Sequence, residues 1–268
     1  MAARVGIFDS GVGGLTVVAA LHRSQPSLEI TYIADTGFFP YGGRDPSEVA
    51  DRARVLAEML LERGQDALVV ACNTASSAAL ERLREEFPLP IVGMEPPLKP
   101  AVEASTSGVV AVLATPGTAA GERMARLNER FGGETQVFIL PMPGLADLVE
   151  DGEVAGERVE AMLREALAEP LAEGLDALAL GCTHYGFLRP VLSRLLPDEV
   201  RVIDAAEPVA RRTRTVLGEL GFDLDASGES REVLCYATGD PARLEATITG
   251  LRRSGADLPT LQIGRPVA

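Results

Sequence analysis

Short, uniformly apolar runs alternate along the chain with longer stretches whose apolar residues recur every three or four positions. Val5, Gly6, Ile7 and Phe8 predict a buried strand, followed by a Gly-rich turn and a helix near 14–24. Residues 30–34 predict a second strand. A helix then opens at Asp45, a capping residue followed by Pro46 in the first turn and Glu48 three positions on. Val49, Ala53, Leu56 and Leu60 keep helical spacing, and Gly64 supplies the stop. Residues 68–71 predict a third strand, and a helix near 75–86 ends before Pro88. Strand and helix in strict alternation predict parallel sheet covered by helices on both faces.

The same pattern returns later in the chain. Leu61, Gly64, Asp66, Ala67, Leu68 and Cys72 recur as Leu171, Gly174, Asp176, Ala177, Leu178 and Cys182, every pair 110 positions apart. Upstream, residues 6–11 have a looser counterpart in residues 111–116. The expected fold is therefore α/β, with two pseudo-symmetric domains of mainly parallel sheet and the active site in the cleft between them. Prolines 96, 97 and 100 around Lys99 mark the boundary. Beyond about residue 207 the repeat fades, and the chain is expected to cross back. The predicted domains are 1–97 with 207–268, and 98–206.

Composition narrows the classes. The chain has 268 residues, 46% hydrophobic and 24% charged, ordinary for a globular protein. Lys99 is the only lysine, so 24 of the 25 basic residues are arginine, a compositional bias without functional meaning. A net charge of −14 with no extended basic cluster opposes nucleic acid as a ligand. No leader pattern and no apolar run of membrane-spanning length is found, so a cytoplasmic location is expected. Three widely spaced cysteines, Cys72, Cys182 and Cys235, suit neither a disulfide framework nor a zinc site.

Two of those cysteines carry the candidate chemistry. Cys72 and Cys182 stand at equivalent points of the repeat, each at the carboxyl end of a strand, where ligands bind in open α/β sheets. Inversion of a carbon centre needs a base on one face and an acid on the other, with roles exchanged in reverse, and a thiol pair meets that need. A helix starting near Thr74 is expected to lower the Cys72 pKa, and His184 to tune Cys182. Asp9, after the first strand, sits in a Gly-rich turn whose amides offer themselves to an anion. The acidic side chain favours a ligand with an ammonium group, and Asn73, Thr74 and Thr183 suit carboxylate oxygens. Cys235, among apolar neighbours, reads as a buried strand residue.

The segments 9–16, 40–42, 71–75 and 181–185 together resemble the glutamate racemases, as do Glu95 with Pro96 and residues 114–118. The likeness runs from about residue 4 to about 217. It implies cofactor-independent interconversion of L- and D-glutamate, supplying D-glutamate for peptidoglycan, in the cytoplasm and as a homodimer. It implies that Cys72 and Cys182 exchange the proton, assisted by Asp9 and His184. Asp9, Ser10, Tyr41, Gly42, Asn73, Thr74, Thr183 and His184 would contact the substrate, and Glu150 would assist catalysis. A pyridoxal mechanism needs a Schiff-base lysine, and Lys99 lies among prolines. At 141–143 the sequence Pro-Met-Pro departs from members that carry a cysteine. Two alternatives stay open: an aspartate racemase, and a non-catalytic regulator acting on a topoisomerase.

Overall fold

The computed structural model describes residues 2–224 and 229–264. Residues 1, 225–228 and 265–268, which belong to the predicted first domain, lie outside the described residues.

The first half runs β1 (Arg4–Asp9), α1 (Leu15–Ser24), β2 (Glu29–Ala34), α2 (Pro46–Leu61), β3 (Ala67–Val70), α3 (Asn73–Glu86) and β4 (Ile91–Val92). The chain continues through α4 (Leu98–Ala104), β5 (Val109–Ala114), α5 (Pro116–Ala120), α6 (Glu122–Phe131), β6 (Gln136–Pro141), α7 (Leu145–Glu150), α8 (Glu157–Ala172) and β7 (Ala177–Leu180). A 3-10 turn over Thr183–Leu188 leads into α9 (Arg189–Leu195) and β8 (Arg201–Ile203). The last elements are α10 (Ala206–Glu219), β9 (Val233–Ala237), α11 (Pro241–Arg253) and β10 (Leu261–Ile263).

Two parallel sheets result, ordered β10-β9-β2-β1-β3-β4 and β6-β5-β7-β8. β9 and β10 extend the first sheet beside β2. The repeat reaches down to the register. β1 pairs β3 with Val5 opposite Ala67, and β5 pairs β7 with Val110 opposite Ala177. The repeated aspartates share a task. Asp66 accepts the Arg4 N–H at 2.8 Å where β1 begins. Asp176 accepts the Thr106 and Ser107 N–H groups at 2.6 and 2.8 Å just ahead of β5. Each ties the entry of a central strand to the loop before its neighbour.

Burial follows the pleat. Val5 and Ile7 of β1 face a core cluster that runs on into the second sheet, while Phe8 faces the cluster under α2 and α3. Strands covered on both faces explain the uniformly apolar runs. Asp45 caps α2 by accepting the Ser47 N–H, and Gly64 closes the stretch after it at φ +70°. Only the last part of the proline-rich boundary segment is regular, with Glu95, Pro96 and Pro97 outside any helix or strand. α4 starts at Leu98, and Pro100 falls within its first turn, where a missing N–H costs nothing. Among the described residues no helix is long and apolar enough to cross a membrane.

Candidate active site

The carboxyl ends of β1, β3, β5 and β7 converge on a cavity of about 200 Å³ lined by both Cys72 and Cys182. Drug-sized ligands take roughly 300–1,000 Å³, so this volume suits a small molecule.

Cys72 follows β3 and occupies the residue before α3, which begins at Asn73, slightly earlier than the sequence indicates. Its Sγ lies 3.9 Å from Ser10 Oγ, and Ser10 Oγ in turn donates to Asp9 Oδ1 at 3.2 Å. Asp9 is fully buried; its Oδ2 accepts Gly14 N–H at 2.6 Å and Thr183 Oγ1 at 3.0 Å. Burial pushes the Asp9 carboxyl above its ordinary value, against the downward pull of His184 and its hydrogen-bond donors.

The expected lowering of the Cys72 pKa does not occur. Burial, and then the Asp9 carboxylate, push the thiol well above its ordinary value, outweighing the Ala75 N–H at the start of α3. A helix terminus is a partial charge, and here it loses to a nearby full charge and to lost hydration.

Cys182 mirrors Cys72, following β7 and preceding the 3-10 turn. Its Sγ lies 3.8 Å from His184 Nδ1, and His184 Nε2 lies 2.9 Å from Glu150 Oε2. Burial pulls the imidazole down. Cys182 and Glu150, with Asp9, outweigh it and hold His184 well above its ordinary value. Glu150 is itself buried at the end of α7, and its Oε2 also accepts the Val12 N–H at 2.9 Å. The Phe39 ring lies 5.5 Å from the imidazole.

The Gly-rich turn already receives carboxylate groups of the protein itself. Two of its amides, at Val12 and Gly14, are taken by Glu150 and Asp9. Its glycines answer to close packing. A Cβ on Gly11 would meet Glu150 Oε2 at 2.2 Å, and one on Gly13 would meet His184 Nδ1 at 2.4 Å.

Asn73 lines the cavity with both amide atoms buried and unpartnered, groups that a bound ligand would satisfy. The Thr74 hydroxyl joins those of Thr115 and Thr118 at 3.2 and 3.3 Å. Ser10, Tyr41, Gly42 and Thr183 also line the cavity. Asp9 and Glu150 stand one layer behind it. The Tyr41 hydroxyl turns away, donating to Asp35 Oδ2 at 2.6 Å. Asp35 carries no sequence signal of its own, whereas Thr118 falls within the family-like segment 114–118. Cys235 is buried in β9 away from the cavity, its thiol pushed up to about 12 by burial. Lys99 is exposed on α4, 3.7 Å from Glu103. Among the described residues no three His, Cys, Asp or Glu side chains group as a metal site requires.

Comparison with known proteins agrees in sequence and in shape. The sequence pattern of the Asp/Glu/Hydantoin racemases matches residues 15–213. A glutamate racemase of Stutzerimonas stutzeri (strain A1501) is 46% identical over 244 residues, 91% of each chain. One from Pseudomonas putida (strain F1) is 43% identical over 262 residues, 97% of this chain and 98% of the other. Escherichia coli glutamate racemase, crystallised with L-glutamate and the activator UDP-MurNAc-ala, matches with a TM-score of 0.84 at 30% identity, covering 100% of both chains.

Proposed function

This chain belongs to the glutamate racemase family, and from that premise we propose that it interconverts L- and D-glutamate by a two-thiol mechanism without a cofactor. The observation that carries this reading is the pair of buried cysteines at equivalent strand ends, lining one cavity, each with its own polar partner.

One cysteine, as thiolate, takes the α-proton of the bound amino acid. The other, as thiol, delivers a proton to the opposite face, and both sulfurs end with exchanged protonation. The raised pKa of Cys72 suits the acid role when the site is first occupied. His184, doubly protonated and held by Glu150, then supports Cys182 as the base. That resting arrangement suits L-glutamate as the first substrate, and D-glutamate reverses it. Asp9 and Ser10 serve the Cys72 side, and Asp9 attracts the ammonium group.

Abstraction builds charge on the α-carboxylate. Asn73, Thr74 and Thr183, which line the cavity, bind and stabilise it there. Gly42 and Tyr41 complete the wall. The two domains are 1–97 with 207–268 and 98–206, a division that sheet membership supports. By kinship the protein works as a cytoplasmic homodimer, supplies D-glutamate for peptidoglycan and takes no nucleic acid. The decisive experiment is circular dichroism of pure L-glutamate, and separately of D-glutamate, with protein stripped of pyridoxal phosphate and metals. Both signals decay to zero if the reading holds. Decay with aspartate alone would replace the substrate.

A further inference from the structure

Asp35 follows the end of β2, is fully buried, and does not line the cavity. Its carboxylate is filled from three directions. Tyr41 donates its hydroxyl to Oδ2 at 2.6 Å, from the loop after β2. Arg52 of α2 donates Nε to Oδ2 at 2.8 Å and Nη2 to Oδ1. Thr238, just past β9, donates its hydroxyl to Oδ1 at 2.6 Å. The Asp35 main chain joins in, with its N–H on Asp9 O at 2.9 Å and its carbonyl taking the Phe38 and Phe39 N–H groups at 3.0 and 3.1 Å.

The loop held this way forms one wall of the cavity. Phe39, Pro40, Tyr41 and Gly42 all line it. Phe39 stands against His184, whereas Tyr41 packs in the same core cluster as Cys72. Gly42 reaches the other half, its carbonyl accepting the Gly117 N–H at 2.9 Å. One wall therefore touches both thiol sides. Its tyrosine hydroxyl is already committed to Asp35.

A buried carboxylate is costly unless its partners are complete, and breaking one partner leaves the rest uncompensated. Such a group holds geometry well. We propose that Asp35 is a positioning residue of the racemase, clamping the Phe39–Gly42 wall through Tyr41, Arg52 and Thr238 so that the cavity is preformed for both enantiomers. The clamp rests on the racemase reading for its function, though not for its structure. Loosening it makes substrate pay for ordering the wall, which weakens binding of both enantiomers alike.

The test uses Tyr41→Phe and Thr238→Val, which each remove one hydroxyl, alongside Asp35→Asn. KM and kcat are measured for L- and D-glutamate across pH, and amide hydrogen exchange is followed over residues 36–44 without substrate. KM is expected to rise about tenfold in both directions while kcat falls no more than about threefold. The pH limbs stay in place, and exchange of the loop quickens by about tenfold. A kcat loss of about tenfold at constant KM, or a displaced pH limb, overturns the proposal, because it makes Asp35 part of the proton path. Unchanged exchange in both hydroxyl variants also overturns it. Should Asp35→Asn not fold, those two variants decide. Should the wild type racemise nothing, the functional reading falls and the clamp stands or falls on exchange alone.

Discussion

Glu150 and His184 meet at 2.9 Å in the interior, and the carboxylate oxygen they share also accepts the Val12 amide from the first half of the molecule. One oxygen thus fixes the orientation of the imidazole that faces Cys182 and joins the Gly-rich turn to the far side of the cleft. Glu150→Gln keeps the shape and removes the charge. It should lower kcat by about 10²-fold and make His184 lose its proton at lower pH, both readable in the pH profile of racemisation. An unshifted profile would mean that the carboxylate charge does not act on His184.

Replacing either thiol should be more damaging. Cys72→Ser and Cys182→Ser should each lose at least about 10³-fold in kcat with both enantiomers, measured by circular dichroism. Near-normal turnover by either variant would eliminate the two-thiol mechanism. Alkylation should inactivate the wild type, and glutamate should protect it.

The charge of His184 also governs stability. Its folded pKa is raised, so the stabilisation it contributes is complete below the unfolded value, roughly 6.5, and is lost as pH rises through the folded value. Thermal unfolding of the wild type and His184→Gln across pH should therefore converge towards the alkaline side. A gap that widens with pH would reverse the sign and refute the argument.

Asp176 should act at the other end of the scale. Burial alone would raise its pKa, but Ser105, Thr106 and Ser107 outweigh it and hold the carboxyl well below its ordinary value of 3.8. The stability it adds is present above that value and disappears as pH falls below it. Asp176→Asn should cost about 2 kcal/mol near neutral pH, a difference that shrinks progressively as pH falls from about 4 towards the depressed folded value.

Gly11→Ala and Gly13→Ala test the packing of the cleft. Each new methyl would press on a buried, hydrogen-bonded group, Glu150 in one case and His184 with Thr183 in the other. Each should destabilise by about 1–3 kcal/mol and lower activity more than stability alone explains. Normal activity from either would show that the two halves tolerate separation at this point.

Much of this architecture was readable in the chain because the repeat is local and periodic. Asp45, Gly64 and the strand-end cysteines announce themselves through capping, turn and repeat patterns. Asp35 does not, because an aspartate after a strand reads as a turn, and its partner Thr238 lies 203 residues away. Thr247 is silent for the same reason, though its hydroxyl holds the Glu150 carbonyl at 2.9 Å. The Gly-rich turn was legible as a turn but not in its purpose, since the groups crowding Gly11 and Gly13 come from distant sequence. The direction of the Cys72 shift depends on desolvation, which no residue spacing reports.

Every side chain around the cavity precedes residue 189, yet two of its braces, Thr238 and Thr247, and two strands of the first sheet come from the end of the chain. During synthesis all the reactive groups leave the ribosome before the parts that hold them. The thiols are thus made before the residues that brace the cavity around them.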